Sequence, residues 1–180
     1  MYKPLYWHHG NVKFPDTEVE QVLNEMTELK DVLSKFEKAI SSYHLQSNCR
    51  PDRIWHHRYT KIVEDLTKSI AIESTSKYIW DYWTQLYFPK NKHVAHQHVG
   101  NGASTISFVH FIKPNEENSF RFLDNDGNDY VLPEQNEGDI VFFPSYIWHR
   151  VKPLKSGRRL VVAGNIEIQY VQPKYFDLTL

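Results

Sequence analysis

The hydrophobic period of this chain changes at about Lys77, and the change limits the folds open to it. Before that point apolar residues return every three or four positions. After it they come in short runs cut by Gly, Pro, Asn and Asp, the pattern of antiparallel strands joined by turns. The runs at 78–88, 95–99, 104–112, 119–123, 129–132, 139–143, 147–151 and 158–170 predict strands, and such a series predicts a sandwich or jelly roll. Asp-Gly inside "DNDGND", 124–129, predicts a hairpin turn. It is not read as a calcium loop, because the acidic residue that closes such a loop is missing.

The first third reads differently. Val19, Val22, Leu23, Met26, Leu29, Val32, Leu33, Phe36 and Ile40 predict one amphipathic helix from Asp16 to about Tyr43, with Asp16-Thr17 as its N-cap. A second helix is expected over 51–72, with Ile54, Tyr59, Ile62, Val63, Leu66 and Ile70 on one face and Pro51 in its first turn. The expected fold is mostly β with an N-terminal α layer. At 180 residues a single domain is expected: a helical layer over 1–76 and a jelly-roll core over 77–172.

Charge narrows the partners. Lys plus Arg number 21 against 22 Asp plus Glu, so no positive field draws in nucleic acid or an anionic membrane. Cys49 stands alone, the opening "MYKPLYWHHG" lacks the apolar run of a signal peptide, and no stretch nears the ~18 apolar residues of a membrane span. A cytoplasmic protein is expected. Oligomeric state is left open.

"HVAHQHVGNG", 93–102, carries the chemistry. Positions i and i+2 of a strand share a face, so His96 and His98 can reach one ion, while His93, three residues before His96, is expected to point away. The third ligand expected is His149 in "GDIVFFPSYIWHRVKP", since a jelly roll brings early and late strands to one open end. Three protein ligands with open positions suit non-haem Fe(II), and zinc also accepts three imidazoles. With ten histidines in the chain, a close pair also arises by chance.

The residues beyond His149 change those odds. "GDIVFFPSYIWHRVKP…GRRLVVAGNI" resembles the distal element of the Fe(II)- and 2-oxoglutarate-dependent oxygenases, in the form seen in prolyl-hydroxylase-like members. "HQHVGNGASTISFVHFIKP" is similar to the His-x-His-x-Gly segment of a small branch of that family common in marine phages and bacteria. The resemblance covers roughly 78 to 170. It implies a double-stranded β-helix, Fe(II) on His96, His98 and His149, and Arg159 on the C5 carboxylate of 2-oxoglutarate. It also implies use of O2, oxidative decarboxylation to succinate and CO2, and hydroxylation of a C–H bond.

Arg159 also suits a carboxylate on physical grounds alone. A guanidinium grips a carboxylate through two parallel hydrogen bonds, which lysine cannot do. Alternation puts Arg159, Val161, Ala163 and Asn165 on one face, an Arg and an Asn among small residues, as a ligand-holding interior needs. Tyr87, Ser107, Thr84 and Gln85 are further candidates to line the site, each polar in an apolar strand. Trp83, Tyr146 and Trp148 would form an aromatic mouth for a peptide or a flat ligand, or pack the core. The substrate expected is a peptide, a protein or a small molecule, with a prolyl residue the first choice on resemblance.

One departure matters. Most of these oxygenases read His-x-Asp or His-x-Glu where this chain has His98. Either His98 is the third ligand, a carboxylate comes from elsewhere, or a position stays open to water or halide; the first is favoured. Asp139 is explained by its Gly-Asp turn. Two other readings stand beside this one. A cupin also uses His-x-His and a later His, but lacks a need for Arg159, and its Glu after His98 is absent. A jelly-roll binding module would make the histidines structural.

Overall fold

Strand pairing starts from the two longest apolar runs. Strands β3 (Ser76–Tyr87) and β10 (Arg159–Tyr170) pair antiparallel along their whole length, from Arg159 opposite Tyr87 to Tyr170 opposite Ser76. On its other side β10 pairs with β5 (Ile106–Lys113), which pairs with β8 (Asp139–Pro144). β1 (Trp7–Asn11) and β2 (Ile40–Ser41) complete a six-stranded sheet in the order β1-β8-β5-β10-β3-β2. A second sheet holds β4 (His93–His96), β9 (His149–Val151), β6 (Phe120–Leu123) and β7 (Asp129–Val131), in the order β4-β9-β6-β7. This jelly-roll arrangement comes from a computed structural model that describes residues 4–30, 39–69, 76–98, 105–115, 117–132 and 134–170.

Alternation divides the large sheet between two cores. Leu160, Val162 and Ile166 of β10, Phe108 and Ile112 of β5 and Phe142 of β8 face the helices. There they meet Val22, Leu23 and Met26 of α1 (Asp16–Glu28) and Tyr59, Ile62, Val63 and Leu66 of α2 (His56–Ser69). Val161, Val109, Phe111, Val141 and Phe143 face the other way, towards Phe120, Phe122 and Val151 of the small sheet. Gly164 has a steric reason: a Cβ there would lie 2.3 Å from the Phe108 ring.

All eight expected strands have counterparts, and "DNDGND" forms the β6–β7 hairpin turn. Asp124 Oδ1 accepts from the backbone N–H groups of Asp126 and Asn128, and Gly127 adopts φ 79°. Strands β1 and β2 are additions. "WHHGN" shows no alternation and is held from outside, by pairing with β8 and by Trp7 stacking on Phe142.

The helical layer needs three corrections. The first helix does not run to Tyr43: Ile40–Ser41 pairs with β3, and Ser42–His44 is a 3-10 turn. Val32, Leu33 and Phe36 lie outside the described residues. The N-cap is Pro15, with no side-chain cap bond, so Asp16 falls inside the first turn, where a carboxylate favours the helix dipole. Third, 51–55 is a 3-10 turn, and the α-helix begins at His56; Ile70 is outside the described residues.

Candidate metal centre

Three imidazoles converge where β4 and β9 meet. His96 and His149 are register partners across that pair. His98 lies past the end of β4, where its backbone N–H donates to Ser145 O at 2.8 Å. One ring nitrogen from each of His96, His98 and His149 lies within 4.8 Å of the others, and His98 Nε2 is 3.3 Å from His149 Nε2. The expected convergence is therefore present, but not through i, i+2 alternation inside one strand. It comes from strand pairing for one histidine and a loop tether for the other.

His93 corrects the sequence reading more directly. Regular alternation would point it away, yet its ring centroid is 4.2 Å from that of His96, and it lines the same cavity. The cause is a bulge: His93 pairs with Val151 and His96 with His149, three steps on β4 against two on β9. One extra residue reverses the facing.

Proton positions are set by the carbonyls. His149 Nδ1 is 2.9 Å from Ile147 O, and His96 Nδ1 is 2.9 Å from Val94 O. A carbonyl only accepts, so both Nδ1 atoms carry the proton and both Nε2 atoms are bare, as a metal ligand must be. Burial, reinforced by the neighbouring imidazoles, holds His149 well below its ordinary value and His98 down to about 4. His96 is lowered by burial against its bond to Val94. All three are neutral at pH 7. Among the described residues no carboxylate joins them.

Arg159 lies in the same cavity, fully buried. Its Nη1 donates to Ser119 Oγ at 2.9 Å, and its guanidinium lies 5.6 Å from the Tyr87 ring and 5.4 Å from the Phe111 ring. Nη2 has no partner. Burial lowers the guanidinium to about 10, with Tyr87 opposing, so it stays charged. A buried charge with a free donor is costly unless an anion completes it. Such a group accepts a carboxylate, and three neutral imidazoles accept a divalent ion.

The other candidates separate. Tyr87 is buried, pushed up to about 12 by burial, and donates to Gln85 Oε1 at 2.7 Å; both line the cavity, as does Trp83. Thr84 does not. It faces the helices, bonded to buried Asp52 at 2.7 Å, because its parity is opposite to that of Gln85. Ser107 and Asn165 stand behind His98: Ser107 Oγ is 2.8 Å from Asn165 Oδ1, and Asn165 Nδ2 is 3.4 Å from His98 Nδ1. Tyr146 and Trp148 are exposed on the loop before His149 and do not pack the core. Asp139 accepts from Asn136 N, in its turn, and from Asn11 Nδ2. Sequence reasoning missed Ser119, Ser145 and Phe120 as neighbours of the site, since an isolated Ser or Phe beside a strand carries no signal of its own. A larger groove between α1 and the β8 turn is lined by Glu20, Lys113, Lys13 and Glu137, which pair with one another.

Comparison with known proteins agrees with this geometry. The chain is 30% identical over 84 residues to a PKHD-type hydroxylase of Prochlorococcus marinus, covering 42% of this chain and 35% of the relative. It is 31% identical over 87 residues to a PKHD-type hydroxylase of Idiomarina loihiensis, covering 43% and 37%. The chain thus spans little over a third of the length of these curated relatives. Its fold matches a prolyl-4-hydroxylase of Pseudomonas putida, at TM-score 0.62 and 14% identity, over 90% of this chain and 91% of that one. It also matches a prolyl hydroxylase of Trichoplax adhaerens, solved with a hypoxia inducible factor peptide fragment, at TM-score 0.63 and 10% identity, over 90% and 83%. A third match is a viral collagen prolyl hydroxylase of Paramecium Bursaria Chlorella virus-1 in complex with 2OG, at TM-score 0.61 and 15% identity, over 90% and 94%. No family model matches. The fold is that of the 2-oxoglutarate, Fe(II) oxygenases, and the sequence resemblance runs to their hydroxylases.

Proposed function

We propose that this chain is an Fe(II)- and 2-oxoglutarate-dependent hydroxylase. His96, His98 and His149 would hold the iron, and Arg159 the far carboxylate of 2-oxoglutarate. The observation that carries the reading is Arg159 Nη2, a charged, buried, unpartnered donor in the cavity that the three imidazoles also line. A cupin reading leaves that charge unexplained.

Iron held by His96, His98 and His149 would supply the oxidative chemistry, the coupling of O2-dependent decarboxylation of 2-oxoglutarate to succinate and CO2 with hydroxylation of a C–H bond. The chain's own residues bind and orient. Ser119 fixes the guanidinium through Nη1 and leaves Nη2 to the ligand. Tyr87 and Phe111 flank its plane, and Phe120, Val109 and Val161 keep water from the cavity. With three neutral imidazoles the protein cancels none of the iron's charge. Of the two negative charges of 2-oxoglutarate, the C1 carboxylate would offset part of the iron's charge and the far carboxylate would meet Arg159, which favours the dianion at this site.

The substrate is a peptide, a protein or a small molecule. A prolyl residue is the first choice, supported by the names of the similar hydroxylases. Trp83 at the cavity and exposed Tyr146 and Trp148 would form its mouth.

The test is anaerobic titration of Fe(II) and 2-oxoglutarate into metal-free protein, read by the weak visible charge-transfer band of the chelate. A band that needs both, and weakens in Arg159→Ala, supports the reading. Bound iron without a band points to a cupin-like site, and no bound iron to a binding module.

A further inference from the structure

His96 and His149 each have a carbonyl that fixes the proton on Nδ1. His98 has none. Its Nδ1 faces the Asn165 amide at 3.4 Å, and that amide meets Ser107 Oγ at 2.8 Å, which meets Ser145 Oγ at 2.9 Å. The Ser145 carbonyl in turn receives the His98 backbone N–H, so one short chain of groups returns to the residue it began from.

An amide offers either end, and a hydroxyl both donates and accepts, so two proton arrangements satisfy these distances. In the first, Asn165 Nδ2 donates to a bare His98 Nδ1. His98 then carries its proton on Nε2, which donates to the bare His149 Nε2 at 3.3 Å, and His98 cannot ligate. In the second, the amide is reversed. Oδ1 accepts from His98 Nδ1–H, Nδ2 donates to Ser107 Oγ, and Ser107 donates to Ser145. His98 Nε2 is then bare. No charge changes between the two.

We propose that Asn165, backed by Ser107 and Ser145, is a reversible positioning relay that turns His98 into a ligand when a metal arrives. The relay rests on the proposed metal site and goes beyond it. A histidine at a position commonly held by a carboxylate must be given the right tautomer, and among the described residues no carbonyl serves His98 as Val94 and Ile147 serve His96 and His149. Asn165 supplies that function from β10, and its amide can serve either state.

The test uses zinc as the probe, since it is diamagnetic and accepts three imidazoles. Long-range 15N–1H spectra of the full chain report the protonated nitrogen of His98 before and after zinc, and a competing chelator dye gives the affinity. The expected result is a His98 proton on Nε2 without zinc and on Nδ1 with it. Asn165→Leu weakens zinc by about 10- to 100-fold, the usual effect of losing a ligand's orienting partner. Asn165→Asp, which can only accept, keeps the proton on Nδ1 even without zinc and binds at least as tightly as wild type. Tight zinc binding with unchanged tautomers in Asn165→Leu, or equal loss in Asn165→Asp, overturns the relay and leaves the metal site standing. Wild-type protein whose histidines do not respond to zinc overturns both.

Discussion

On one side of β10, Leu160, Val162 and Ile166 close against aromatic and aliphatic residues of β5, α1 and α2, and Gly164 clears space for Phe108. On the other side, Arg159, Val161 and Ala163 line a cavity shared with the imidazoles, Asn165 stands behind His98, and one guanidinium donor finds no partner among the described residues. One strand thus carries a face built for packing and a face built for a ligand. On the packing face the buried His110 ring is answered at both nitrogens, while the neutral indole N–H of Trp55 and one oxygen of Asp52 find no partner among the described residues. Tyr59 donates to His110 Nδ1 at 2.9 Å, and His110 Nε2 donates to Val12 O at 2.8 Å. On the cavity face the group without a partner is a cationic donor, Arg159 Nη2.

If that contrast is right, substitutions on the two faces separate stability from binding. His149→Ala has the largest expected effect: loss of metal affinity by at least ~100-fold, more than a supporting residue costs, with little change in melting temperature, as calorimetric titration would show. Phe142→Ala on the packing face does the reverse. It lowers unfolding free energy by about 3–5 kcal/mol in urea, while zinc affinity of the folded fraction stays near wild type.

Arg159→Leu sharpens the contrast. Loss of a buried charged partner weakens 2-oxoglutarate by roughly 30- to 5,000-fold, from a cost of about 2–5 kcal/mol. Without ligand the variant melts at or above the wild-type temperature, because an incompletely paired buried charge has gone. A large fall in melting temperature would place Arg159 on the packing side of the comparison.

The smallest expected effect is on pH dependence. Burial holds His110 at about 4, below its ordinary 6.5, so the unfolded chain takes up the proton more readily than the folded one. Its contribution is complete above pH 6.5 and declines as pH falls towards 4, by up to about 1.4 kcal/mol per unit. Urea midpoints between pH 7 and 4.5 should fall less steeply in His110→Phe, by about one proton's slope. Equal slopes would mean that His110 does not titrate on unfolding.

The sequence by itself determined the strand series, the hairpin at Gly127, the two-sided alternation of β10, and the set His96, His98, His149 and Arg159 as residues to bring together. These come from period, turn chemistry and resemblance, all of which act over a few residues or are written in motifs. Only tertiary structure decided the rest. Trp7–Asn11 became a strand because β8 offered an edge, and the first helix gave way by Ile40 because β3 offered another. His93 turned towards the site because β4 carries one residue more than β9 across their pairing. Thr84 and Gln85 look alike in sequence, but one step of parity sends the first to Asp52 and the second to Tyr87. Ser119 became the partner of Arg159 across 40 positions. Register and edge pairing set these outcomes, and both are properties of two strands together, so neither strand's sequence contains them.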